Sequence, residues 1–146
     1  MPWRVIRSLL RLHRYHYHHQ QICRCMFQGF ELVTYCWLCN PKAKAGSSQE
    51  DDHLGQMVSI NGLTLFPVDV LARGKYSAKY FDGSGKLLKL NVVASSIARM
   101  LQLRYPLQPE NEPEILVGML SRMLLLRPED RDSARELLNH PWLRDC

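Results

Sequence analysis

The stretch from Pro128 to Trp142 constrains the fold more than any other part of the chain, because it carries start and stop signals for very short helices. Ser133 and Glu136 have the S-x-x-E spacing in which hydroxyl and carboxylate reciprocally satisfy the orphan N–H groups of a helix start. Pro141 cannot continue a helical ladder, so the helix opened at Ser133 is predicted to stop just before Trp142. Leu137 and Leu138 give it an apolar side, and Asn139 and His140 fall in its last turn. Upstream, Pro128 and Asp130 mark a turn after an apolar run. An ordinary pair of surface helices satisfies the same signals, so the caps alone leave function open.

The preceding segment reads as helix too. Ile115, Leu116, Met119, Leu120, Met123 and Leu124 recur at spacings of three and four, which predicts a helix near 112–126 with an apolar face for the core. A second helix is predicted near 95–105, and Pro106, Pro109 and Pro113 punctuate the connection. Methionines in such a stripe fill gaps in a core more readily than they build a cofactor site. With 146 residues, 46% of them hydrophobic and 23% charged, the composition suits one globular domain. No apolar run reaches the roughly 18 residues needed to span a membrane.

The order of residue types carries more than the caps do. "LSRMLLLRPEDRDSARELLNHPWL" (120–143) resembles the end of the protein kinase catalytic domain, through Pro128, Arg131, Ser133, Ala134, Glu136, His140, Pro141 and Trp142. Arg127 stands where that family usually has Asp. "EDDHLGQMVSINGLTLFPVDVLARGKYSAKYFDGSGKLLKL" (50–90) is similar to the region after the central helix of SR-protein kinases, which phosphorylate arginine-serine repeats. The matching residues are Asp51, Asp52, His53, Leu54, Gly62, Gly74, Lys75, Tyr76, Ser77, Tyr80, Phe81, Gly85 and Leu87. "FELVTYCWLCNPKA" (30–43) looks like the same family through Phe30, Glu31, Leu32, Val33, Thr34, Leu38, Asn40, Pro41 and Lys42, and departs from it at Tyr35, Cys36 and Cys39.

The resemblance implies a mainly α chain corresponding to the C-terminal part of a kinase large lobe, from the central helix to the final helix over residues 21–146. It is expected to be truncated and to have no small lobe. It also implies that Arg131 is buried and paired with the glutamate of an A-P-E motif, which has no counterpart here. Near the expected start of the central helix, Gln21 and Cys23 replace the Asp and Trp of the family pattern. Helices that normally pack on absent parts of the lobe predict exposed apolar surface and marginal stability.

Phosphotransfer needs a glycine-rich loop over the phosphates, a strand lysine, an H-R-D loop supplying Asp and Asn, and a D-F-G Asp for magnesium. "HRY" at 13–15 puts Tyr15 at the position of the catalytic Asp, and no D-F-G or V-A-I-K-like run occurs. "FDGSG" at 81–85 lacks the G-x-G-x-x-G spacing and is expected to be a surface turn. The intact family uses ATP and magnesium, whereas for this chain no catalytic or ATP-binding residue, and no cofactor, is expected.

One family function has residues here to carry it. In SR-protein kinases, acids on the helix opened by D-D-H dock basic arginine-serine peptides, and guanidinium pairs well with carboxylate. Asp52 matches one docking acid, while Ser59 stands where a second would be. Docking weaker than in an intact relative is therefore expected. Asp51 and Asp52 equally suit a helix start, where negative charge opposes the helix dipole without any ligand.

Residues 1–20 contain Arg4, Arg7, Arg11 and Arg14, four histidines and no acid, and contribute much of the net charge of +5. An Arg-rich, acid-free segment resembles a mitochondrial presequence, but it lacks Ser-rich character and a clear cleavage site. Binding to nucleic acid or an anionic membrane is a further reading of the basic charge. The favoured one is a leader without selected structure joined to the kinase-like part. Cys23, Cys25, Cys36 and Cys39 have spacing that could close a zinc site, although the intervening "FELVT" matches a continuous helix that would hold the pairs apart. The expectation is no metal, thiols kept reduced in the cytoplasm or nucleus, and arginine-serine-rich proteins as partners rather than nucleic acid or membrane. Oligomeric state is open.

Overall fold

The computed structural model describes residues 30–31, 36–104 and 112–144. Residues 1–20, Cys23 and Cys25, and the Pro106 and Pro109 connection lie outside the described residues. The fold is mainly α, as the sequence predicts. Among the described residues the only β pairing is two isolated bridges, Lys44 with Ser47 and Phe81 with Leu87. The chain divides into two compact units, Cys39–Ser96 and Met1–Leu38 with Ile97–Cys146.

In the first unit, helix α1 spans Gln49–Ile60. Ser48 opens it through a complete capping box: its hydroxyl accepts from Asp51 N at 3.2 Å, and its own N–H donates to Asp51 Oδ2 at 2.7 Å. Asn61 ends the helix and Gly62, at φ +71°, turns the chain in a region that other residues enter at a cost. Two single-turn helices follow, α2 (Val68–Leu71) and α3 (Ser77–Tyr80). Between them the Ser77 hydroxyl donates to the carbonyls of Leu71 (2.6 Å) and Gly74 (3.1 Å), which accounts for the serine of the G-K-Y-S run.

"FDGSG" is a turn, as expected. Asp82 Oδ1 accepts from the N–H groups of Ser84 and Lys86 and from the Ser84 hydroxyl. Its end is buried, because Gly85 O accepts from Phe66 N at 2.8 Å and Phe66 stacks at a tilt on Phe81, with ring centroids 5.1 Å apart. Beyond it, residues 90–96 run alongside α1. The Ser59 hydroxyl donates to Val93 O at 2.7 Å, and Ser95 N donates to Ser59 O at 2.9 Å. Gly55 faces this part of the chain, where a Cβ would meet Leu87, Leu90 and Val92 at ordinary van der Waals distance.

The second unit contains α4 (Ile97–Arg104), α5 (Glu112–Leu124), a 3₁₀ turn (Pro128–Asp130), α6 (Ala134–Leu138) and α7 (Pro141–Arg144). Helix α5 packs on α4 and α7. Leu116, Met119, Leu120 and Met123 on α5 are buried, together with Phe30, Leu101, Leu137 and Leu143. Burying one such side chain fully stabilises by about 1.5–3 kcal/mol, so this cluster is the main support of the unit. Ile115 departs from the expected face: it is 40% exposed, because it precedes Leu116 by one position and lies about 100° away around the helix.

The Ser133 cap forms as predicted, with Ser133 N donating to Glu136 Oε2 at 2.7 Å and Glu136 N to Ser133 Oγ at 3.3 Å. The end of this helix differs from the expectation. It stops at Leu138 with Asn139 as its C-cap, so His140 lies beyond it, and Pro141 starts a new helix. Proline at a first helical position loses nothing, since the N–H it lacks there has no intrahelical acceptor. This restart lets Trp142 and Leu143 point into the core. Large apolar side chains also face solvent, among them Trp37, Tyr76, Val93 and Leu103.

Candidate functional site

Helix α1 begins with Glu50, Asp51 and Asp52 in its first turn, and the two aspartates are buried. They do different work. Asp51 is the N3 residue of the capping box, and the N–H of Ser48 holds its carboxyl below the usual carboxylate range. Only 1% of its side chain is exposed. Lys89, from the segment after the turn, approaches Oδ2 at 3.4 Å. Asp51 Oδ1 is buried and has no hydrogen-bond partner among the described residues.

Asp52, the residue singled out from the sequence, has a full set of donors. Lys42 N donates to its Oδ2 at 3.0 Å, Gln56 Nε2 to the same oxygen at 2.7 Å, and Lys44 Nζ to Oδ1 at 3.2 Å. These bonds lower its pKa, the Lys42 N–H most and Lys44 less, against a burial that raises it. Asp52 is therefore ionised at neutral pH and neutralised from inside the chain. Its Lys44 partner is 65% exposed, whereas the Asp52 side chain is 11% exposed. A tight turn presents this lysine: Lys44 and Ser47 exchange both backbone hydrogen bonds, and Gly46 takes φ +84°.

Ser59, seven residues after Asp52, lies two turns further along α1, about 10.5 Å away. Its hydroxyl is taken by Val93 O, so it ties down the 90–96 segment and offers no charge. Of these contacts, Gln56 was legible as the partner four residues on from Asp52. Lys42, Lys44 and Lys89 were not, since no local periodicity links them to α1.

The residues of the C-terminal pattern fall in the second unit. Pro128 starts the 3₁₀ turn, and Arg131 is half-buried with its Nε donating to Leu125 O at 2.6 Å. The family pattern pairs this arginine with a glutamate; here a backbone carbonyl receives it. His140 Nδ1 accepts from Trp142 N at 3.4 Å, which joins α6 to the start of α7. Burial lowers the His140 pKa, as does the nearby Arg122, while Asp132 opposes them.

Cys36 is half-buried and Cys39 buried, and the other two cysteines of the zinc alternative lie outside the described residues. Among the described residues no three His, Cys, Asp or Glu side chains gather as a metal site. Nor is any helix among them long and apolar enough to cross a membrane.

Comparison with known proteins gives the same kinship as the sequence motifs. The chain is 32% identical over 117 residues to the serine/threonine-protein kinase SKY1 of Saccharomyces cerevisiae, and 32% identical over 118 residues to the serine/threonine-protein kinase SRPK of Physarum polycephalum. It is 31% identical over 120 residues to human SRSF protein kinase 3. These alignments cover 80–82% of the chain. They span 15%, 27% and 20% of the respective relatives, so what is matched is a minor part of each kinase. No family model matches the chain. About four fifths of the chain is thus SR-protein-kinase-like sequence.

Proposed function

We propose, from this kinship with SR-protein kinases, that the chain carries the C-terminal part of a serine/threonine kinase catalytic domain and does not itself transfer phosphate. The observation that carries the reading is the pairing of kinase homology over four fifths of the chain with the absence of an H-R-D Asp, a D-F-G Asp and a glycine-rich phosphate loop from its sequence. Without these there is no base for the substrate hydroxyl, no magnesium ligand and no clamp for the triphosphate. ATP and magnesium belong to the activity of an intact kinase and are not ligands of this chain. Incubating the pure chain with radiolabelled ATP, magnesium and an arginine-serine repeat peptide is expected to give no incorporation. Stoichiometric labelling of the peptide would overturn the reading.

The activity left to such a chain is docking of basic, arginine-serine-rich segments at Asp52. The ionised, part-buried carboxylate at the start of α1 supports this, because guanidinium forms short paired hydrogen bonds to carboxylates. Ser59 supplies no second charge, so affinity is modest and strongly salt-dependent. Fluorescence anisotropy with a labelled peptide of eight Arg-Ser repeats tests it: Asp52→Asn is expected to weaken binding several-fold. Unchanged affinity would sink the docking role. By family the protein would act in the cytoplasm or nucleus.

A further inference from the structure

We propose that Lys44 is an internal stand-in for the basic side chain of a docked peptide, so that binding at Asp52 proceeds by exchange of Lys44 for an incoming arginine. This rests on the docking reading above and adds its regulation.

Two features of the start of α1 carry it. First, the three donors to Asp52 are unequal. Lys42 N and Gln56 Nε2 both bind Asp52 Oδ2 and are set by backbone and helix geometry. Lys44 alone among the described residues binds Oδ1, through a flexible side chain that is mostly in solvent. Displacing it exposes one carboxylate oxygen while the other stays held, so the site opens without unfolding.

Second, the lysine does not match the carboxylate well. A single ammonium contact at 3.2 Å leaves the second half of a guanidinium fork unused, and an exposed lysine pair of this kind is weak. Lys89 does the same at Asp51, at 3.4 Å and half exposed. Each carboxylate at the helix start thus has one loosely held lysine among its partners. An arginine, with five N–H donors in a rigid fork, supplies what the lysines do not.

The geometry of the 44–47 turn makes Lys44 a competitor at high effective concentration. Its mutual backbone bonds with Ser47 hold the turn that presents it to Asp52, eight residues downstream. Removing it should raise affinity, while removing a neighbouring lysine of equal charge should not. Lys42 is that neighbour: its side chain is exposed and only its backbone N–H reaches Asp52.

The test is anisotropy of the eight-repeat Arg-Ser peptide on the whole chain, its Lys44→Ala and Lys42→Ala variants, and each in an Asp52→Asn background, with circular dichroism to check folding. Lys44→Ala is expected to tighten binding about two- to fivefold, the range an exposed pair contributes. Lys42→Ala should fall clearly short of that, and the gain should disappear with Asp52→Asn. Binding by Lys44→Ala alone, with none detectable for the unmodified chain, would support the stand-in equally, provided it needs Asp52. If the peptide binds and Asp52→Asn weakens it, but Lys44→Ala equals Lys42→Ala, the stand-in is overturned and docking survives. If neither the unmodified chain nor Lys44→Ala binds, or binding ignores Asp52, docking and stand-in fall together.

Discussion

Arg122 Nε lies 2.8 Å from Asp132 Oδ2, and Asp132 N approaches Arg122 O at 3.4 Å, so one residue pair ties the end of α5 to the segment that leads into α6. The arginine is largely in solvent and the aspartate largely buried. Water therefore screens the pair, and its coupling is worth about 0.5–1 kcal/mol. A double-mutant cycle of Arg122→Ala and Asp132→Ala in urea should return that interaction energy. A coupling indistinguishable from zero would mean that the backbone contact alone holds the junction.

Leu137 is fully buried on α6, and its neighbour in type, Ile115 on α5, is part exposed. Leu137→Ala should destabilise by about 2–5 kcal/mol, through lost burial and a cavity. Ile115→Ala should stay within about 1 kcal/mol, nearer the range for surface positions. Equal losses in chemical denaturation would show that the α5 face is misplaced.

His140 is held neutral by burial and by Arg122, with Asp132 opposing, and its Nδ1 accepts the Trp142 N–H. Its pKa is below the usual 6.5, so between the two values the unfolded chain binds more protons than the folded one. Stability contributed by the neutral ring is present in full above about pH 6.5 and is lost as pH falls through the folded pKa. The thermal midpoint of the unmodified chain should drop from pH 7.5 to 5.5, and His140→Gln should flatten that drop. Parallel curves for the two proteins would assign the drop to other groups. The carboxylates of Asp52, Asp82 and Glu136, also depressed, act in the same direction at lower pH.

Gly85 sits at φ +86°, and a Cβ there would overlap the Phe66 carbonyl. Gly85→Ala should therefore cost more than the roughly 1 kcal/mol of a left-handed alanine alone, because the Phe66 backbone cannot retreat as a flexible side chain could. Gly83→Ala, two residues earlier and facing open space, is the matched control. Urea midpoints that shift equally would contradict the close approach.

How much of this was legible depends on the range of the interaction. The Ser133 and Glu136 cap, the 3.6-residue stripe on α5 and the punctuation by Pro128 are each set within a few residues, so the residue order determined them. Ser48 and Asp51 form a cap of the same kind, set within the same short range. The order of residue types also carried the kinship with SR-protein kinases, which composition alone would not suggest.

Proline shows where local reading stops. Pro141 is equally able to end one helix or begin the next, and only the burial of Trp142 and Leu143 selects the second. Asp52 is the functional counterpart. The sequence places a carboxylate in the first turn of α1, but whether that charge is open or covered depends on a lysine brought back by the Gly46 turn. Likewise Ser59 reads as a lost charge and proves to be a tether for the 90–96 segment. Helix signals act over one turn of backbone, whereas the covering of a charge depends on which distant loop closes over it, and that is decided only when the tertiary structure forms.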